Sequence, residues 1–446
     1  MKIIIAGDGE VGFYLAKMLE SENHDITIVD PHSELLKMLE SQMDVMTIAG
    51  NSTSVRVLER AHVDKTDLLI SVVHDEQVNI VTCMLGKKLG AKRTIARVNN
   101  VEYRAPHNVA RFREMGIDEI VAPEMIAARE ILKLMTESAA TEIIDFSEAK
   151  LSLYLIKLDK KALVLGKTLN EIAKEYPKLN FRCIAIHRNG ETIIPTGDDH
   201  FEEGDLSYVI TLPNGISELL KLGGKRKIEI NNVMIIGGGR IGRKTARELE
   251  KKVNVKLIDI DKERTEKLVD TIRNTLIING DARDVGLLEE EGIRKMDAFV
   301  ATTNNSETNI FTCLLAQKFG VPKVIPLIEN EDYIDIAQKI GVDTIINKKL
   351  ITASYITRFT MDAEVTDIKC LSSVDADALE FVVKKDSLAT RKPIKSLRMP
   401  RGSIIGGIVR GAEGYIAVGD FQIKAGDKVV VFSLPKAVQK VTRLFN

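Results

Sequence analysis

No run in the sequence is long and apolar enough to cross a bilayer: the longest hydrophobic stretches have strand length, against the roughly 20 residues of a transmembrane helix. Met1 leads straight into one of them without a basic, apolar leader, so the chain is expected to be soluble and cytoplasmic. Net charge is as scarce. Lys plus Arg number 63 and Asp plus Glu 64, leaving no overall field to attract nucleic acid or an anionic membrane. The four cysteines, Cys83, Cys183, Cys313 and Cys370, form no Cys-x-x-Cys pair, which argues against structural zinc and against a disulfide framework. Tryptophan is missing, and nothing follows from that. No Gly-x-x-x-x-Gly-Lys-[Ser/Thr] loop occurs either, so nothing points to nucleotide hydrolysis on a P-loop.

What the sequence does contain, it contains twice. The apolar run Lys2-Ile3-Ile4-Ile5-Ala6 leads into Gly7-Asp8-Gly9-Glu10-Val11-Gly12, and Asn232-Val233-Met234-Ile235-Ile236 leads into Gly237-Gly238-Gly239-Arg240-Ile241-Gly242. Each is a buried strand, then Gly-x-Gly-x-x-Gly, then a helical pattern, which is the dinucleotide-binding fingerprint in its proper context. A shift of 230 residues also maps Gly50 on Gly280, Asn79 on Asn309 and Cys83 on Cys313. Further on the offset falls to 222, pairing Ile186-His187-Arg188 with Ile408-Val409-Arg410 and Glu203-Gly204-Asp205 with Ala425-Gly426-Asp427. Length alone, 446 residues, suggests about three domains. The repeat divides the chain in four: nucleotide-binding domains at 1–140 and 225–364, and small modules at 141–224 and 365–446.

In the first part, short apolar strands alternate with amphipathic helices as far as a last strand at Asp118 to Val121 and a helix from Pro123 to about Ser138. Such alternation means a parallel sheet covered on both faces. From Leu151 the pattern turns to short strands, with Asn189-Gly190 as a hairpin turn. The fold class is therefore α/β: two Rossmann-like doubly wound parallel sheets, each followed by a small α+β module. The basic, Gly-containing stretch 222–227 reads as a linker between the halves.

The chemistry lies in the loops. Gly7 and Gly237 permit the tight turn, Gly9 and Gly239 let the backbone approach a pyrophosphate, and Gly12 and Gly242 let the following helix pack on the sheet. Asp8, Val11, Gly238 and Ile241 complete the two turns, and phosphate charge would sit at a helix N-terminus, where free N–H groups favour it. An acidic residue ends strand two in each copy, Asp30 and Asp259. A carboxylate there accepts the ribose hydroxyls and repels a 2′-phosphate, which favours NAD or an adenine nucleotide over NADP. Asn51-Ser52 and Asp281-Ala282 follow strand three at the adenine end; Asn51 and Asp281 either meet a base edge or serve as turn residues. Val73 and Thr303 end strand four beside the crevice. His74 reads as a surface residue, and Cys83 and Cys313 as core thiols.

One difference separates the loops: Glu10 in copy one stands where Arg240 stands in copy two. At about 8 Å and an effective dielectric near 20, a unit charge is worth roughly 2 kcal/mol. Glu10 should penalise an extra terminal phosphate and Arg240 reward it, with Arg97 at the end of strand five as a counter-charge that copy two lacks. No catalytic residue and no metal site can be assigned. The small modules offer no proton-transfer constellation of the kind a dehydrogenase needs.

In its tandem order of glycine loop, Asp30 or Asp259, Gly50-Asn51 or Gly280-Asp281, and Glu203-Gly204-Asp205 or Ala425-Gly426-Asp427, essentially the whole chain resembles the TrkA family. These are cytoplasmic regulatory subunits of Trk-type potassium-uptake systems, built from two RCK units (KTN plus TrkA-C). The resemblance implies that the loops bind NAD/NADH and ADP or ATP, and that the nucleotide domains pair through the helix at Pro123 and its copy near Lys348. It further implies a homo-oligomer, a tetramer or dimer of dimers, forming a ring against an integral-membrane potassium transporter subunit of the TrkH/TrkG type at the inner face of the cell membrane. Nucleotide exchange would change ring shape and bias the transporter gate. Glu10 departs from the neutral residue expected in the family's first loop and counts against ATP there. Two other readings are an NAD-dependent oxidoreductase and a redox-sensing DNA-binding regulator; the second would need a basic face or helix-turn-helix that the sequence does not show.

Overall fold

The computed structural model describes residues 1–446 except 8, 22–23, 177–178, 331, 361–364, 372–373, 375 and 446. The first half runs β1 (Lys2–Ala6), α1 (Glu10–Ser21), β2 (Asp25–Asp30), α2 (Ser33–Gln42), β3 (Met46–Ala49), α3 (Val55–Arg60), β4 (Leu68–Ser71), α4 (Glu76–Leu89), β5 (Arg93–Arg97), α5 (Pro106–Glu114), β6 (Glu119–Val121) and α6 (Pro123–Thr136). The small module follows as β7 (Glu142–Phe146), β8 (Leu151–Lys157), α7 (Leu169–Glu175), β9 (Phe181–Arg188), β10 (Glu191–Ile193), β11 (Leu206–Thr211) and α8 (Ile216–Leu222). The plan then recurs: β12 (Asn232–Ile236), α9 (Arg240–Leu249), β13 (Asn254–Asp259), α10 (Lys262–Val269), β14 (Thr275–Asn279), α11 (Val285–Glu290), β15 (Ala298–Ala301), α12 (Ser306–Lys318), β16 (Lys323–Pro326), α13 (Asp332–Lys339) and α14 (Lys348–Thr357). Last come β17 (Val365–Cys370), β18 (Asp377–Val382), β19 (Ser403–Arg410), β20 (Glu413–Ile416), β21 (Lys428–Ser433) and α15 (Val438–Phe445).

The chain forms two compact units, one of residues 1–126 with 348–362, the other of 127–347 with 363–446. In the first, a parallel six-stranded sheet has the order β3-β2-β1-β4-β5-β6, the doubly wound order read from the alternation of elements. Successive side chains of β1 serve opposite faces. Ile3 and Ile5 join Val11, Leu15, Leu68 and Ile70 in one core cluster, whereas Ile4 joins Val29, Leu58 and Leu69 in another. The first cluster is completed from far along the chain. Ala353 and Ile356 of α14 are fully buried in it, Tyr355 donates its hydroxyl to Glu119 at 2.9 Å, and Arg93 donates to the carbonyl of Phe359.

The second unit holds three sheets. A parallel one, order β14-β13-β12-β15-β16, repeats the first with one strand fewer. Where a sixth strand is expected, Leu327 and Ile346 make only an isolated bridge, because Pro326 and Ile328 exchange just two backbone bonds with Ile346 and proline has no N–H to extend the ladder. The antiparallel sheets β10-β9-β11-β8-β7 and β17-β18-β21-β19-β20 belong to the small modules, and their inner faces share one core that runs from Phe146 and Tyr208 to Phe432. Twin ion pairs pin these modules. Arg188 donates to both carboxylate oxygens of Asp205 at 2.7 and 2.8 Å, and Arg410 does the same to Asp427 at 2.8 and 2.7 Å. At the start of β16 the buried Lys323 donates to the Ala140 carbonyl at 2.7 Å and to Thr344 Oγ1 at 3.1 Å. Burial lowers its pKa to about 7.

Candidate nucleotide-binding sites

The two glycine loops share one geometry. Gly7 and Gly237 take positive φ, 115° and 91°, and their amides donate to Val29 and Ile258 at 3.0 and 2.9 Å, which ties each loop to the strand that carries the acidic residue. A Cβ on Gly12 would lie 1.9 Å from the Gly7 carbonyl oxygen, and one on Gly242 would lie 1.9 Å from that of Gly237. Val11 and Ile241 are buried and anchor the first turn of α1 and α9 in the core. Gly9 and Gly239 are different: a Cβ on either would meet nothing within 4 Å. The loops are closed beneath and open above, as a backbone that must approach a pyrophosphate requires. Asp8 lies outside the described residues, as does the side chain of Glu10; Arg240 is exposed at the start of α9.

The acidic residues end β2 and β13, both only 4% exposed, and their carboxylates are engaged differently. Asp30 accepts from the His32 amide at 3.0 Å and contacts His32 Nδ1 at 2.7 Å. Asp259 accepts from the Gly238 amide at 2.6 Å, the Asp261 amide at 2.8 Å and Arg264 at 2.9 Å. That carboxylate raises the pKa of Arg264. Copy two therefore places a guanidinium against the position that would take the ribose, a charge the sequence reading overlooked although Arg264 is only five residues beyond Asp259.

On the neighbouring strand, one residue past the glycine whose amide donates to the Asp30 or Asp259 carbonyl, Asn51 and Asp281 act as turn residues. Asn51 Oδ1 accepts from the amide and hydroxyl of Thr53 at 2.9 and 2.8 Å. Asp281 accepts from the Arg283 amide at 2.9 Å and from its guanidinium at 2.6 Å, and Arg283 holds this carboxyl below the usual range. Ser52 is buried against Thr82, hydroxyl to hydroxyl 2.9 Å, and Ala282 is buried at the matching place. Val73 and Thr303 flank the loops through a feature not anticipated from the sequence. Asn79 is fully buried on α4; it accepts from the Val73 amide at 2.8 Å and donates to the carbonyls of Val73 and Arg97 at 2.8 and 2.9 Å. Asn309 repeats this clamp on Thr303 and Leu327. The signal was available: an amide at the same place on the buried helix face of both copies. Arg97 is turned toward Glu124, 2.9 Å away.

His74 is exposed. Cys83 and Cys313 are fully buried, and burial raises both thiols far above neutrality, so they are inert core residues. Among the described residues no group of three or more His, Cys, Asp and Glu could hold a metal ion, and no helix is long and apolar enough to cross a membrane.

Two parallel sheets in tandem, each opening on such a loop and each followed by a small antiparallel module, define a double-unit nucleotide-fold protein. Residues 3–123 and 233–348 match the TrkA-N domain family, and residues 153–223 and 378–446 the TrkA-C domain family. The chain is 33% identical over 453 residues to the Trk system potassium uptake protein TrkA of Vibrio alginolyticus, covering 100% of this chain and 99% of that one. It is 31% identical over 457 residues to TrkA homolog 1 of Methanosarcina mazei, covering 100% of both. The chain belongs to the TrkA family of Trk system potassium uptake proteins. Members are named as parts of a transport system, not as enzymes. In fold it is similar to the crystal structure of the GsuK RCK domain, with a TM-score of 0.63, 20% identity, and 100% and 94% of the two chains covered. It is also similar to the GsuK channel bound to NAD, with a TM-score of 0.62, 19% identity, and 100% and 78% covered.

Proposed function

We propose that this chain is the nucleotide-sensing regulatory subunit of a Trk-type potassium transporter. It binds NAD(H) at Gly7–Gly12 and ADP or ATP at Gly237–Gly242, and acts from the cytoplasmic side on an integral-membrane partner as a homo-oligomeric ring. The observation that carries this reading is the paired geometry at Gly9 and Gly239. Each is a glycine with open space above it, at the start of a helix, hydrogen-bonded through its loop to a strand that ends in a buried carboxylate. The helix N–H groups of α1 and α9 receive pyrophosphate charge, and Asp30 and Asp259 receive ribose hydroxyls. The name of the GsuK channel bound to NAD, and that of another GsuK structure bound to ADP, support the choice of ligands. The opposite charges at Glu10 and Arg240 favour an extra phosphate at copy two over copy one.

In this role the nucleotide is a signal. It changes the partner's activity only through unequal affinity for two shapes of the assembly. The test is calorimetry of NADH, ADP and ATP on the full chain, with Glu10→Gln and Arg240→Gln, beside potassium flux through a reconstituted Trk-type transporter. The expected result is that Arg240→Gln weakens ATP more than NADH and that flux follows nucleotide. Flux indifferent to all three nucleotides would refute the regulatory reading, and equal ATP loss in both variants would refute the division between the loops.

A further inference from the structure

Strands β8, β9 and β11 turn alternate side chains to opposite faces. Leu155, Ile184 and Tyr208 enter the core shared with the second small module. Ile156, Cys183, Ser207 and Val209 face α7 and α8, where with Ile172 and Leu219 they line a cavity of about 390 Å³, within the size range of small-molecule sites.

The second module fills the same place. Ladder register pairs Leu206 with Lys157 in one module and Lys428 with Val382 in the other, so Ile156 corresponds to Phe381. The closing helices α8 and α15 put Gly223 opposite in number to Phe445. Phe381 and Phe445 are fully buried, with ring centroids 5.0 Å apart and planes at 18°. A Cβ on Gly223 would lie 3.2 Å from Ile156 Cγ2, so these two positions face each other as the two phenylalanines do in copy two. Copy one has Ile156 and Gly223 where copy two has the aromatic pair.

The space also holds an orphan. Ser207 is 2% exposed, and its buried hydroxyl has no hydrogen-bond partner. A buried hydroxyl is normally paired, so this one is a handle for a polar group that enters the cavity. Arg182, the one charged residue of the lining, gives its guanidinium to the carbonyls of Ile405 and Ala417, and burial pushes the Cys183 thiol up to about 12.

We propose that this cavity is a binding site for a compact, uncharged hydrophobic molecule bearing one hydroxyl, carbonyl or amine group that pairs with Ser207. Scaled from a 150 Å³ cavity that holds benzene, the ligand has about 15 non-hydrogen atoms. It stabilises the first small module by mass action, and in the second module Phe381 and Phe445 stand at the matching positions.

The test is a fluorescence titration of the full chain with N-phenyl-1-naphthylamine, a neutral dye of that size with one N–H. One saturable site per chain is expected. Ile156→Phe with Gly223→Phe, which copies the filling of the second module, should weaken it at least tenfold, and Ala173→Trp at the exposed mouth on α7 should do the same without touching the core. Ser207→Ala should weaken 1-decanol about fivefold, the worth of one neutral hydrogen bond. Displacement of the dye by 1-decanol points to a lipid-derived chain, and displacement by 2-naphthol to a soluble ring compound. Lack of saturable binding, displacement by neither competitor, or binding unchanged in both filled variants would overturn the proposal.

Discussion

Arg264 Nη1 lies 2.9 Å from Asp259 Oδ2, and the residue at the matching place in the first copy is Leu35, itself exposed. A guanidinium beside the ribose carboxylate offsets the repulsion that would exclude a 2′-phosphate. The second copy should therefore discriminate less between ADP and 2′-phosphorylated ADP than the first copy does. Arg264→Ala should restore the discrimination, and Asp259→Ala should weaken ADP by about 10- to 100-fold through loss of charge-assisted hydrogen bonds. Calorimetry on the full chain reads each change; an Arg264→Ala variant with unaltered preference would contradict the assignment.

Gly9 and Gly12 separate binding from folding. Gly12→Ala drives a methyl into the Gly7 carbonyl and is expected to cost about 1–3 kcal/mol of stability. Gly9→Ala meets no protein atom, so the urea midpoint should stay put while nucleotide affinity falls. The pair of measurements fails if Gly9→Ala destabilises as much as Gly12→Ala.

Asn79→Leu leaves the Val73 amide and the carbonyls of Val73 and Arg97 buried without their partner. A loss of at least about 3 kcal/mol is expected, at roughly 1–3 kcal/mol for each of the three groups left unsatisfied. Asn309→Leu should behave alike, because its bonds to the backbone are the same. Chemical denaturation measures both, and a neutral effect at either position would show that water replaces the clamp.

Lys323 carries a pH signature. Its folded pKa, about 7, is below the ordinary 10.5. Between those values the unfolded chain binds a proton that the folded chain does not, so folding stability gained from this group rises with pH across that window, by at most about 1.4 kcal/mol per pH unit. Below pH 7 the penalty is constant. Lys323→Met should remove this contribution and stabilise the protein at neutral pH; an equal change in stability from pH 7 to pH 10 in wild type and variant would contradict this.

Much of this was legible in the sequence because it depends on local pattern. The apolar runs at Lys2–Ala6 and Leu206–Thr211 are strands at those positions, and the doubled Arg188-to-Asp205 and Arg410-to-Asp427 spacing turned out to be two copies of one ion pair. What was missed depends on partners remote in sequence. Helix α5 escaped notice because it has no buried residues and so no apolar stripe to read. Strands β7 and β17 exist because β8 and β18 offer them an edge, which is a tertiary decision. The Arg264 contact needed the turn after β13 to fold back on Asp259. The Gly223 vacancy became meaningful only when the ladders aligned it with Phe445.

The burial of Ala353 and Ile356 beneath α1 sets a timetable for biosynthesis. Val11 and Leu15 leave the ribosome early, but the helix that covers them is made only after the chain has grown by more than 300 further residues. At about 5–20 residues per second this is a wait of roughly 15–70 s. Throughout it the nascent first unit presents an uncovered apolar stripe, and a chain stopped before Lys348 never covers it.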